Sequence, residues 1–339
     1  MIWVVSGATG GHLYPALALI SKLHVAATFI VPRDQPVSQI LAPYSYSYTV
    51  VAFVLRRCFV WPIQWVWLVW RLWRERPHVM LLMGGGICVP LSLAAWVCRI
   101  PMVAFEQNTI PGRATRATQC IVDTIITSFE STKERLICQQ NVQCLGNPIR
   151  TTSPILPAIP IEINAMNGPI LLVIGGSQGS RAINEFIEKS HLALLASGTH
   201  IIHLTGAAFF ASKKEKKRSV THCDRQYMAF PYIEDMAALF SKATHVICRS
   251  GATTLAEIKA YGVPCILVPF PFSKDNHQVQ NAKEFSEKYA NVQVIFESDL
   301  TIDACLTALG SVALNTPRLP ESPESMMNSI CAIVKTYLK

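Results

Sequence analysis

Three short stretches of this sequence have residue types and spacing suited to chemistry. In the first, Ser6-Gly7-Ala8-Thr9-Gly10-Gly11 precedes His12 and follows the apolar run Ile2-Trp3-Val4-Val5. Glycines let a ligand approach the backbone closely. A strand that ends in them and reopens as a helix aims backbone N–H groups, and the helix's positive end, at one spot suited to a phosphate or an oxyanion. His12 falls on the first turn of that helix. Packing or capping accounts for most lone histidines. Beside an anion turn, where the helix dipole lowers its pKa, a histidine fits a neutral general base. In the second stretch, Ile170-Leu171-Leu172-Val173-Ile174 runs into Gly175-Gly176-Ser177-Gln178-Gly179-Ser180, the same build half a chain later.

The third stretch is Ile247-Cys248-Arg249-Ser250-Gly251-Ala252-Thr253-Thr254-Leu255-Ala256-Glu257. A strand ends, small residues turn, and a helix starts with hydroxyls placed to cap it. Glu257 can take two hydrogen bonds from vicinal hydroxyls such as those of a ribose, or merely complement the helix dipole. Beyond it lies Lys274-Asp275-Asn276-His277-Gln278-Val279-Gln280-Asn281-Ala282, a polar helix start whose amides can read sugar hydroxyls.

These residues need a scaffold, and its elements are legible. Apolar strand candidates at 2–5, 28–32, 79–83, 101–105 and 124–127, then 170–174, 200–204, 245–248, 265–269 and 292–296, alternate with helical patterns. The alternation predicts parallel sheets with crossover helices. Two glycine turns one domain apart predict twin Rossmann-like α/β domains facing each other across a cleft. A length of 339 residues fits two such domains. The prolines at 154, 157, 160 and 169 mark an extended connector with no helix. The expected division is 1–150, a linker 151–168, a second domain 169–320, and a closing helix 321–339.

Composition narrows the class. Residues 1–150 carry 13 Lys/Arg against 6 Asp/Glu, a balance of +7, while 151–339 carry 17 against 16. The first half therefore meets something anionic. Eleven cysteines, scattered and apolar-flanked, read as buried thiols of a reducing cytoplasm rather than a disulfide framework or a zinc site. The basic run Lys213–Arg218 reads as a solvated loop. No stretch of eighteen uncharged apolar residues occurs, and the N-terminus opens as strand and turn rather than as a signal peptide. A dinucleotide-dependent dehydrogenase is the obvious competitor, with Asp34 near the ribose-binding position. Against it, the spacing runs Gly7, Gly10, Leu13 without a third glycine, and no Tyr-x-x-x-Lys pair is present.

The stretch from Arg56 to Arg76 is unusual. Phe59, Trp61, Trp65, Trp67, Trp70 and Trp73 lie between Arg56-Arg57 and Arg71, Arg74 and Arg76. Wound as a helix from Pro62, the tryptophans point almost all round. Tryptophan with arginine suits a lipid headgroup layer, and the run is too short to span a bilayer. Peripheral attachment to an anionic membrane surface is expected.

Taken together, the motifs resemble the MurG family. The resemblance is carried by Gly7-Ala8-Thr9-Gly10-Gly11-His12-Leu13-Tyr14-Pro15-Ala16-Leu17-Ala18, Glu106-Gln107-Asn108, Gly146-Asn147-Pro148-Ile149-Arg150, Gly175–Gly179, Ser250–Thr254 with Glu257, and Asp275–Ala282, all in the family's order. It implies a two-domain glycosyltransferase B fold. The implied reaction adds N-acetylglucosamine from UDP-N-acetylglucosamine to undecaprenyl-pyrophosphoryl-N-acetylmuramoyl-pentapeptide (lipid I). The donor would sit on the C-terminal domain and the lipid on the N-terminal one, at the cytoplasmic face of the bacterial plasma membrane.

By position the resemblance assigns Thr9, Gly10, Gly11, Asn108, Arg150, Ser177, Ile233, Ala252, Thr253, Thr254, Leu255, Ala256, Glu257 and Gln278 to the donor. The main chain at Ile233 would read uracil, and His12 is the candidate base. No Asp-x-Asp pair is present to hold a divalent metal, so metal-independent chemistry without a cofactor is expected. No nucleic-acid partner is expected; cell-wall assembly proteins are possible partners. The chain departs from the family at a loop that usually reads Gly-x-Gly-Gly-x-x-Ser-x-Pro: here it is Leu82-Met83-Gly84-Gly85-Gly86-Ile87-Cys88-Val89-Pro90. Two rivals stay open, a transferase of the same fold with another lipid or small-molecule acceptor, and an inactive scaffold relative.

Overall fold

In a computed structural model of the chain, the described residues are 1–32, 37–44, 46–51, 61–150, 159–176, 178–212, 219–312 and 323–338. The chain divides into two compact units, Met1–Arg150 with Ser322–Lys339, and Thr151–Glu321.

The first unit is built on strands β1 (Ile2–Val5), β2 (Ala27–Val31), β3 (Ser47–Val50), β4 (Val79–Leu82), β5 (Met102–Glu106), β6 (Thr124–Thr127) and β7 (Val142–Cys144). They form one sheet in the order β3-β2-β1-β4-β5-β6-β7, and every pair is parallel. Its inner strands are near-continuous apolar runs because both faces are covered. Alternate residues of β1 serve the two faces. Ile2 and Val4 join Leu13, Leu17, Phe29, Ile330 and Val334 in one core layer, and Trp3 and Val5 join Leu68, Leu72, Leu91 and Met102 in the other.

The second unit holds β8 (Ile170–Ile174), β9 (His200–Leu204), β10 (Ser219–His222), β11 (Arg225–Phe230), β12 (His245–Cys248), β13 (Cys265–Leu267) and β14 (Val292–Val294). Their order is β10-β11-β9-β8-β12-β13-β14, parallel except for the β10–β11 hairpin. Cys223 and Asp224 turn that hairpin with φ of 50° and 58°, as a two-residue turn requires.

Four findings differ from the sequence expectations, and the packing of the closing helix is an addition to them. The sheets gain β3, β7, β10 and β11. These lie at or beside the sheet edges, and β3 and β10 carry exposed polar residues rather than an apolar run. The connector is not free of helix: Ile161–Asn164 is one short turn after Pro160, because proline bars a helix interior but not its start. The closing helix, Pro323–Thr336, packs on the first helix of the first unit, Gly10–Leu23, and the Tyr337 hydroxyl lies 2.9 Å from Thr124 Oγ1. Not all cysteines are thiols: Cys120 and Cys138 are disulfide-bonded, with Cα atoms 5.7 Å apart. The chain returns on itself around β6, and the Gln119 side chain accepts from the backbone N–H groups of Ile137 and Cys138 at 2.7 and 3.3 Å. Finally, the helix Trp61–Glu75 has distinct faces. Leu68 and Leu72 are buried, Trp65 packs on the core, and Val66, Trp67, Trp70 and Trp73 are exposed. Asp34, Arg56, Arg57, Phe59 and Lys213–Arg218 lie outside the described residues.

Candidate active site

Each sheet has one place where strand order reverses, between β1 and β4 in the first unit and between β8 and β12 in the second. Crevices at the carboxyl ends of the strands at such points are where open α/β sheets bind ligands. Both glycine turns lie there.

In the first unit, the loop after β1 and the loop after β4 touch backbone to backbone. The Gly7 N–H donates to the Gly84 carbonyl at 2.9 Å. A Cβ at Gly84, which has φ of 110°, would stand 2.6 Å from His12 Cε1 and 2.8 Å from Nδ1. Glycine there makes room for the imidazole. Thr9 starts the first helix in extended conformation without a side-chain cap, and Gly10, Gly11 and His12 form its first turn. His12 Nδ1 is shut off from solvent and has no hydrogen-bond partner among the described residues. Burial draws the imidazole below its ordinary 6.5, opposed in part by hydrogen bonds to the Met83 backbone and the Gln107 side chain. A buried polar atom without a partner is rare enough to need a reason, and a waiting base is one.

Neighbouring residues hold this crevice. Glu106 is buried and accepts from the Asn108 and Gly112 N–H groups at 3.2 and 2.8 Å and from Thr115 Oγ1 at 2.6 Å. Burial raises its pKa, and these bonds oppose the rise. The Gln107 side chain donates to the Met83 carbonyl at 2.8 Å. Thr132 donates to the Asn108 carbonyl at 2.9 Å. Arg150 lies with its guanidinium carbon 4.2 Å from the Tyr14 ring centre, over the first helix, where cation and ring attract. In the altered loop, Leu82 ends β4 in the core. Cys88 is buried, its thiol pushed up to about 12 by burial. Both are packing residues, while Gly84 and Gly85 keep positive φ of 110° and 96°.

In the second unit the carboxyl ends of β8, β9, β12 and β13 converge. A Cβ on Gly175 would collide with the Ser180 nitrogen. Ser180 caps the helix Arg181–Ala196, accepting from the Ile183 N–H. After β12, Gly251 leads into the helix Ala252–Tyr261, which places Ala252, Thr253 and Thr254 in its first turn and Leu255, Ala256 and Glu257 in the next. Glu257 is 4 % exposed. Ser250 Oγ donates to the Gln278 carbonyl at 2.7 Å, and Asn281 donates to the Ser250 carbonyl at 3.1 Å. The Phe270 N–H donates to Gln278 Oε1 at 3.0 Å, which leaves the amide NH₂ as the end that can address a ligand. Ile233 is buried between β11 and the helix Met236–Lys242.

The sequence-assigned residues thus fall in two sets. Thr9, Gly10, Gly11, His12, Asn108 and Arg150 belong to the first unit, and Ile233, Ala252–Glu257 and Gln278 to the second. Ser177 lies outside the described residues. Sequence reasoning gave no role to Tyr14, Glu106 or Gln107, and it read Asn281 among the sugar-reading amides, whereas Asn281 is fully buried with its amide on the Ser250 carbonyl. The Glu106-Gln107-Asn108 cluster of polar residues at a strand end was the available signal.

Known proteins share this chain's sequence and fold. Residues 170–335 match the Glycosyltransferase family 28 C-terminal domain. The chain is 31% identical over 93% of its length, and 88% of the relative's, to the UDP-N-acetylglucosamine--N-acetylmuramyl-(pentapeptide) pyrophosphoryl-undecaprenol N-acetylglucosamine transferase of Desulfotalea psychrophila. The transferase of the same name from Coxiella burnetii is 33% identical over 88% of the chain and 86% of the relative. Among solved structures, Acinetobacter baumannii MurG superposes with a TM-score of 0.71 at 21% identity, covering 99% of both chains. The UDP-GlcNAc 2-epimerase from Methanocaldococcus jannaschii reaches 0.61 at 13% identity over 99% of both chains, so the fold by itself does not choose the reaction. With sequence relatives of one name along most of its length, a matching glycosyltransferase domain and the shared glycosyltransferase B architecture, the chain belongs to the MurG family of glycosyltransferases.

Proposed function

We propose that this chain moves N-acetylglucosamine from UDP-N-acetylglucosamine to lipid I with inversion at the anomeric carbon, and that His12 is the base. The observation that carries the role of His12 is its unpartnered, buried Nδ1 in a glycine-built crevice. The acceptor hydroxyl oxygen bonds to the anomeric carbon as the bond to the UDP oxygen breaks, and its proton passes to the imidazole. Contacts between a base and its hydroxyl tighten only in the substrate complex. The departing diphosphate gains charge. The amides of the second unit's glycine turn stabilise that charge where it develops. Glu257 holds the ribose, the main chain at Ile233 reads uracil, and Gln278 donates to a hexose oxygen.

The acceptor's lipid tail calls for a membrane-facing surface, and the first unit offers one. The helices Trp61–Glu75 and Cys88–Val97 pack together and expose Trp67, Trp70, Trp73, Leu93, Trp96 and Val97. Arg74 sits 5.4 Å from the Trp70 ring. None of the described helices is long and apolar enough to cross a membrane. We propose peripheral attachment at the cytoplasmic face, with the +7 balance of residues 1–150 (13 Lys/Arg against 6 Asp/Glu) as support.

Transfer of labelled N-acetylglucosamine to a lipid I analogue is the test. Label in the lipid product supports the reading. Donor turnover with other acceptors only would transfer the reading to a different acceptor class, and UDP binding without turnover on any acceptor would make the chain a scaffold.

A further inference from the structure

Behind the crevice of the second unit runs a buried polar chain that the reaction scheme leaves unused. His203 on β9 and Asn184 on the helix Arg181–Ala196 are 0% and 1% exposed. His203 Nε2 lies 3.0 Å from Asn184 Oδ1, and its Nδ1 lies 3.1 Å from the Tyr227 hydroxyl on β11. Asn184 Nδ2 donates to the Thr205 carbonyl at 2.9 Å. That bond makes Oδ1 the acceptor end, so His203 donates to it from Nε2, while its Nδ1 and the Tyr227 hydroxyl share the third hydrogen bond. Donation therefore runs from His203 through Asn184 to Thr205, with Tyr227 bonded at the other side of the ring. Within a buried site each broken link would strand a polar group, so the chain resists distortion.

Thr205 is where this rigidity is delivered. A Cβ on Gly179 would collide with the Thr205 carbonyl, and one on Gly206 would stand 2.7 Å from the Gly179 Cα and N. The glycine turn thus lies directly against Thr205-Gly206. On the other side, the Thr205 and Gly206 N–H groups donate to the Phe230 and Pro231 carbonyls at 2.9 and 3.1 Å, and Thr205 Oγ1 donates to the Phe230 carbonyl at 3.2 Å. Pro231 is two residues before Ile233.

We infer that Tyr227, His203 and Asn184 are positioning residues: through Thr205-Gly206 they set the spacing between the Gly175–Gly179 turn and the segment at Ile233, and so between the diphosphate and uracil subsites of one uridine diphosphate sugar. This rests on the donor reading above. Subsites on separate loops bind one rigid ligand well only if their separation is held to a fraction of an ångström.

Calorimetric titration with UDP, on the full chain and on Asn184→Leu and Tyr227→Phe variants, tests it. UDP affinity falls about 10-fold or more for Asn184→Leu and about 3-fold for Tyr227→Phe, as for the loss of one or more buried hydrogen bonds. The donor KM rises while the acceptor KM stays. Amide hydrogen exchange speeds up in peptides covering 175–181, 203–208 and 230–236, and not in the first unit's sheet. Wild-type UDP affinity in either folded variant, or exchange accelerated evenly over the second unit, would overturn the positioning role. If Asn184→Leu does not fold, Tyr227→Phe, which removes a single oxygen, decides alone. A wild-type chain that fails to bind UDP would instead overturn the donor reading, and this inference with it.

Discussion

His12 is asked to do the work of a base from a crevice walled by glycine. Replacing it with alanine should lower transfer by about 10²–10⁴-fold, the usual worth of general acid–base catalysis, while UDP affinity stays within about twofold. A variant transferring at the wild-type rate would make His12 structural. The pH profile is a second check. Burial holds the imidazole below its ordinary 6.5, and a base works deprotonated. Activity should therefore fall on the acid side through a limb centred below 6.5. An acidic limb centred above 6.5 would contradict the assignment. Glu257→Ala should act differently. Ribose contacts exist before and during transfer, so donor KM rises about tenfold or more with the rate at saturating donor little changed. The reverse split would remove Glu257 from the ribose site. The glycines and His12 stand out in the sequence because few residue types can serve at an anion turn. Tyr14 beneath Arg150 does not, since a stack formed by residues so far apart leaves no trace in spacing.

At the scale of elements, the tryptophan-rich helix shows what periodicity misses. Its tryptophans look scattered in sequence. In the structure Trp65 is taken up by the core, and Arg71 is held between the Trp3 and Trp67 rings at 5.0 and 5.6 Å with Glu75 as ion-pair partner at 2.7 Å. Trp67, Trp70 and Trp73 remain exposed, and the proposed membrane contact rests on them. Their joint replacement by serine should abolish sedimentation with vesicles containing anionic lipid, without lowering UDP affinity. Added salt should weaken wild-type binding, because basic side chains contribute by screened attraction. Undiminished binding by the triple variant would sink the membrane assignment. The edge strands β3 and β10 were illegible for a related reason. An edge strand is held by backbone pairing on one side and carries polar side chains outward, so it lacks the apolar signature of a central strand.

Across the whole molecule, the last helix belongs to the first unit although it follows the second in sequence. Ile330 and Val334 are fully buried there. Ile330→Ala should therefore cost about 2–5 kcal/mol, visible as earlier unfolding of the first unit, with UDP binding by the second unit retained. Lost UDP binding and an unchanged first unit would reverse the assignment.

The sequence by itself determined two parallel α/β units, the glycine turns and the residues gathered near them. Strand–glycine–helix grammar is local, and local chemistry is written in neighbouring residues. Tertiary structure alone decided the rest: the return of the closing helix, the pairing of Cys120 with Cys138, the exposed face of the tryptophan helix, and the chain from Tyr227 to Thr205. Each joins segments distant along the chain, and which distant surfaces meet is settled by the packing of the complete core.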